Sequence, residues 1–90
     1  MFERAVQLKN VTTGTESFLS IDAHSGEFVE VVDSGKAWIF PNCIAAYKAW
    51  AEYAWQLMNR GHEDIPYIID FVGPRFLYKH PYMHKVPING

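Results

Sequence analysis

Apolar and polar positions alternate through the first forty residues. Val6 and Leu8 are separated by Gln7 and followed by Lys9, the period-2 pattern of a half-buried strand. Thr12-Thr13-Gly14-Thr15 supplies a turn, because glycine takes positive φ without steric cost. Residues 17–21 predict a second strand around the β-favouring Phe18 and Ile21. Asp22-Ala23-His24-Ser25-Gly26 reads as a second turn and residues 28–32 as a third strand. Asp33-Ser34-Gly35-Lys36 turns the chain again, and residues 37–40 (Ala-Trp-Ile-Phe) predict a short fourth strand. Short runs parted by glycine turns predict an antiparallel meander.

The period changes at Pro41-Asn42. Asn42 is a good helix N-cap, residues 43–60 follow helical spacing, and Gly61 provides a stop. Around this helix the apolar residues sweep about 200°, twice the ~100° that a surface helix needs. Tyr47, Trp50, Ala54, Cys43 and Met58 fall near the centre of that arc, with Tyr53 and Trp55 at opposite margins. One sheet face covers the centre but hardly both margins. Residues 66–72 predict a returning buried strand, Gly73-Pro74 breaks it, and residues 75–79 predict another short strand. Residues 80–90 hold two prolines and little periodicity, the signature of an extended arm.

The expected architecture is one α+β domain over residues 1–90. An antiparallel β-meander (four to five strands) carries one long α-helix packed on one face and an extended C-terminal arm. The expected core takes Val6, Leu8, Phe18, Phe28, Trp38 and Phe40 from the meander. It adds Tyr47, Trp50, Ala54 and Met58 from the helix, and Ile69 and Phe71 from the returning strand.

Composition narrows the class. With 49% hydrophobic and 16% aromatic residues, the chain is too apolar for disorder. It holds no run of 18 apolar residues, so no membrane span is expected. The opening Met1-Phe2-Glu3-Arg4 lacks the apolar stretch of a secretory leader. The one cysteine allows no internal disulfide, so the chain reads as cytoplasmic. Charge is unevenly placed: residues 1–40 are net −3, residues 41–70 net −2, and residues 71–90 net +3, from Arg75, Lys79 and Lys85 without any acid.

Few residues suggest catalysis. Asp22, His24 and Ser25 are the residue types of a hydrolase triad but crowd one turn, and triads are defined by convergence in space. Cys43 follows the N-cap, where a thiol can be activated, yet its place in the apolar arc predicts a small buried hydrophobe. His80 and His84 have the spacing of a helical metal pair, but Pro81 opposes a helix through both. No third ligand is obvious, so neither a metal nor another cofactor is expected. Asp70 interrupts an apolar strand on the face of Ile68 and Val72. It is either an edge-strand residue or local partner of Arg75, or else a polar anchor in a binding groove. Phosphate-loop, dinucleotide, Cys-x-x-Cys and His-Glu-x-x-His patterns are all absent.

The leading expectation is a non-catalytic protein-interaction module, an accessory or inhibitory protein of the phage type whose apolar surplus binds and occludes a larger protein partner, a second copy of itself as a homodimer, or both. Aromatic residues dominate interface hot spots. The expected contacts are Trp55, Tyr53, Phe76, Tyr78 and Tyr82, with Arg75 and Lys79 as rim charges and Asp70 as the polar anchor. An acidic surface on the strand half that mimics nucleic acid toward a basic partner is a weaker version. The alternative is a nucleotide- or single-stranded nucleic-acid-binding module using the basic, aromatic C-terminal segment. A third reading is a small enzyme built around His62, Asp70 or Cys43.

Overall fold

The computed structural model describes residues 3–73. Four strands form one antiparallel sheet: β1 (Ala5–Lys9), β2 (Glu16–Ile21), β3 (Phe28–Val31) and β4 (Tyr67–Val72), in the order β3-β2-β1-β4. A single helix, α1 (Cys43–Asn59), joins the meander to β4. The fold is therefore α+β, with one helix on one sheet face. The expected arm and the expected strand at 75–79 lie outside the described residues.

Two hairpins of the same construction hold β1, β2 and β3 in register. Asn10 N–H donates to Thr15 O (2.9 Å), and Asp22 N–H donates to Glu27 O (2.8 Å). Inside each loop the fifth residue is a glycine at φ +74°, Gly14 and Gly26. Each glycine N–H reaches back to the carbonyl of the loop's first residue, at 2.8 Å. The first residues also use their side chains: Asn10 Oδ1 accepts from the Thr12 and Thr13 amides, and Asp22 from the His24 amide and the Ser25 hydroxyl. The left-handed φ explains why a glycine closes each loop.

The expected fourth strand of the meander does not form. Residues 37–40 meet the sheet at only one isolated bridge, Arg4 to Phe40. They run extended all the same. Trp38 N–H donates to Leu19 O of β2 (3.0 Å), and Arg4 and Phe40 exchange hydrogen bonds of 2.9 and 2.7 Å. The segment follows a 3-10 turn at Ser34–Lys36, capped by the Asp33 carboxylate on Gly35 N–H. It is bonded between two parts of the sheet and lacks the continuous ladder of a strand. Alternation survives there: Ala37 and Ile39 join one apolar cluster, Trp38 and Phe40 the other.

Those two clusters lie on opposite faces of the sheet. The face under α1 packs Val6, Leu8, Leu19 and Phe40 against Ala46, Ala49 and Tyr53. The other face packs Ala5, Phe18, Ala37, Ile39 and Val72. Leu8, Leu19, Val6 and Pro66 are the largest fully buried side chains. Asn42 caps α1 as expected, its Oδ1 accepting from Ala45 N–H (2.8 Å). Gly61 ends the helix at φ +82°. Trp50 ties the helix to the returning chain through Nε1–H to Pro66 O (2.9 Å).

Three expected core residues are exposed instead: Tyr47, Met58 and Ile69. Ile69 is displaced by a bulge in β4. Gln7 pairs with Asp70 but Leu8 pairs with Ile68, which leaves Ile69 without a partner in β1. Tyr47 and Met58 are displaced because α1 turns a different side to the sheet than the centre of its apolar arc.

Candidate functional site

Small residues make up most of the fully buried positions of α1, and Trp50 and Leu57 pack partly buried beside them. Ala46, Ala49 and Ala54 are buried, and the one large buried side chain is Tyr53, only 8% exposed. Its hydroxyl donates to Glu30 Oε2 (2.6 Å), while Ser17 donates to Glu30 Oε1 (2.8 Å). One carboxylate on β3 therefore collects two hydroxyls, one from α1 and one from β2. Burial first, then the hydrogen bond to Glu30 and its charge, push the Tyr53 phenol well above its ordinary range. Beside this pair, Arg60 meets Glu27 at 3.1 Å on the open surface. Such an exposed pair contributes little to stability.

The outward side carries the large apolar groups. Ile44 is 69% exposed, Trp55 60%, and Tyr47 and Met58 each 55%. Ala51 lies between them and is exposed as well. Tyr47 touches Trp50, with ring centroids 5.7 Å apart, so the stripe continues into the partly buried Trp50. Lys48, Glu52 and Asn59, all exposed, lie along its other edge. Exposed apolar residues scattered singly need no explanation, but a contiguous row along four turns does. This row is the candidate site.

The sequence-predicted residues separate accordingly. Trp55 lies in the row. Tyr53 does not: it faces the sheet, is bonded to Glu30 and is packed in the core. Asp70 is exposed on the edge strand β4. The bulge at Ile69 breaks the expected alternation, placing Ile68 in the cluster under the helix and Val72 in the opposite one. Asp70 thus stands at a sheet edge, away from α1's outward row. Phe76, Tyr78, Tyr82, Arg75 and Lys79 lie outside the described residues. Ile44, Tyr47 and Met58 were missed as contacts, and the signal for them was the arc itself, wider than one sheet can cover.

The enzyme candidates do not converge. Asp22 and Ser25 bond to each other in the β2–β3 turn, where the Ser25 hydroxyl and then the His24 amide hold the Asp22 carboxyl below its usual range. This is turn chemistry on an open surface. Cys43 is exposed, contrary to the buried hydrophobe expected, because the inward side of α1 begins at Ala46. His62 follows the helix and is exposed. Among the described residues, no group of three histidine, cysteine or carboxylate side chains could hold a metal ion. No described helix is long and apolar enough to cross a membrane.

No protein-family model matches the chain, and no curated protein or solved structure does either.

Proposed function

We infer that this protein is a non-catalytic protein-interaction module that works through the outward face of α1. The observation carrying this reading is the row Ile44, Tyr47, Trp55 and Met58, each more than half exposed on one side of a helix whose other side is packed. Desolvating such a row on a partner returns apolar area to a dry environment, and the tryptophan and tyrosine supply rigid, large contact area. An accessory or inhibitory protein that occludes a larger partner would use such a surface. No catalytic residue is required.

The nucleic-acid alternative draws its charge from Arg75, Lys79 and Lys85, outside the described residues. Residues 3–73 themselves carry ten acids and five bases, the wrong sign for a phosphate-binding face. The experiment is affinity capture from native lysate with mass spectrometry, comparing the natural chain with Trp55→Glu and Ile44→Glu. Proteins retained by the natural chain should be lost from both variants, while circular dichroism stays unchanged. Equal capture by all three chains removes the outward face of α1 from the function.

A further inference from the structure

The spacing of the outward row suits a two-fold contact between copies of this chain. α1 spans 17 residues, Cys43–Asn59, and its middle residue is Ala51. Relative to Ala51, the exposed apolar residues stand at −7 (Ile44), −4 (Tyr47), +4 (Trp55) and +7 (Met58). The row reads the same in both directions. In an isologous two-fold contact residue i meets j and j meets i, so this spacing sets apolar residues opposite apolar residues throughout.

We propose that the outward face of α1 is covered by a second copy of this chain, as a two-fold dimer whose α1 helices run antiparallel and cross at Ala51. The proposal rests on the interaction reading above and names its partner. In this arrangement Trp55 packs on the partner's Tyr47, and Met58 on the partner's Ile44, with each pair occurring twice. Ala51, the smallest residue of the row, sits on the two-fold axis, where a small side chain lets the helices approach to ~8–10 Å. On one flank Lys48 (−3) and the partner's Glu52 (+1) lie two residues, about 3 Å, apart along the axis, within reach of long side chains, and the symmetry repeats the pair. A chain of net charge −2 puts little repulsion between the copies.

The area is sufficient. At the observed exposures, the four large side chains offer about 500 Å² per copy, or ~1,000 Å² in total, the area that a specific interface has to clear. It is almost wholly apolar, as homodimer interfaces tend to be.

The crossing point makes a geometric prediction. Two Ala51 positions lie next to each other on the axis. The two Cys43 residues lie eight positions from it in opposite directions, so they stand on the order of 24 Å apart at the 1.5 Å rise of a helix. The test uses the full chain. Size-exclusion chromatography with light scattering at submillimolar concentration should give twice 10.4 kDa. Trp55→Glu and Ile44→Glu should elute as folded monomers. Under mild oxidation, Ala51→Cys in a Cys43→Ser background should cross-link at least tenfold faster than the natural chain does through Cys43.

A strict monomer overturns the dimer. If that monomer still loses a captured protein when Trp55 becomes Glu, the occupant is a different protein, and the interaction reading outlives the dimer. If its Trp55 and Met58 are protected from hydroxyl-radical footprinting, the row is covered within the same chain, and both readings fall. A dimer that persists in Trp55→Glu, or that cross-links faster through Cys43 than through residue 51, also overturns the proposal.

Discussion

The two faces of α1 are both apolar, yet they are built from opposite kinds of residue. The inward face is mostly small where it is fully buried, with Ala46, Ala49 and Ala54; its one large buried group, Tyr53, is anchored through its hydroxyl, and Trp50 and Leu57 pack partly buried at its border. The outward face is large, with Ile44, Tyr47, Trp55 and Met58. The sheet explains the difference. Val6, Leu8 and Leu19 of the sheet, with Phe40 beside them, already supply much of the volume between the layers, so small residues fit where α1 crosses them. Interiors are close-packed, and volume as well as hydrophobicity decides which apolar face goes in. The large residues left over stay more than half exposed in the isolated fold.

The strongest way to break this comparison is to exchange the two kinds of residue. Ala49→Trp forces a bulky ring between α1 and the sheet and should cost about 3 kcal/mol, the upper end of typical overpacking. Adding Trp55→Ala to it restores the composition but should recover almost none of the loss, because the removed tryptophan lay outside. Urea melts of the single and double variants measure this. A double variant as stable as the natural chain would show that α1 simply rotates to accept either face.

Tyr53 is the next most sensitive point. Tyr53→Phe keeps the ring but removes the donor to Glu30, leaving that carboxylate with Ser17 alone, and should cost about 1.5 kcal/mol. The same pair sets an alkaline limit. The folded chain holds the Tyr53 phenol neutral above its ordinary range, whereas the unfolded chain ionises it near pH ~10. The stabilisation is therefore complete below pH ~10 and is lost as pH rises from there toward the folded value. The natural chain should lose stability more steeply than Tyr53→Phe above that point. Parallel pH curves would remove Tyr53 as the source.

Much of this was legible in the sequence, for local reasons. Gly14 and Gly26 announced the hairpins because only a left-handed residue closes those loops. Asn42 and Gly61 bounded the helix through capping groups that act within a few residues. The orientation of α1 was not legible, because it depends on the volume of Leu8 and Leu19, which are distant in sequence. The failure of residues 37–40 to form a strand has a similar origin: their hydrogen bonds go to Leu19 and Arg4, and nothing local encodes that choice. Likewise, the bulge at Ile69 defeats a strict period of two, so Asp70 lands on a different face from Ile68. For the candidate site, the sequence indicated an excess of apolar arc and chose Trp55 from it. It also chose Tyr53, at the opposite margin, because an arc of about 200° has two margins and periodicity alone cannot say which one faces water.

The border between the faces offers a smaller effect. Gln56 is half-buried, and its Oε1 is enclosed without a hydrogen-bond partner. An enclosed acceptor without a donor costs free energy that an apolar group of similar length does not. Gln56→Leu should therefore stabilise the fold by about 1 kcal/mol, read as a higher urea midpoint at unchanged slope. A loss of stability would mean that the amide has a partner in solution and that the inward face extends further round the helix.

The smallest expected effect is the most discriminating. Trp55→Ala removes one of the two tryptophans of α1, and in a core position that change costs about 3–5 kcal/mol. On the outward face it removes little that the fold uses, and alanine is the better helix former by a few tenths of a kcal/mol. At concentrations low enough to separate copies, its stability should stay within about 0.5 kcal/mol of the natural chain. Ala49→Trp and Trp55→Ala change the same two residue types only six positions apart, so their contrast isolates the direction each position faces. A loss above about 2 kcal/mol at Trp55 would mean that the row is part of the core, and the distinction between the two faces would no longer hold.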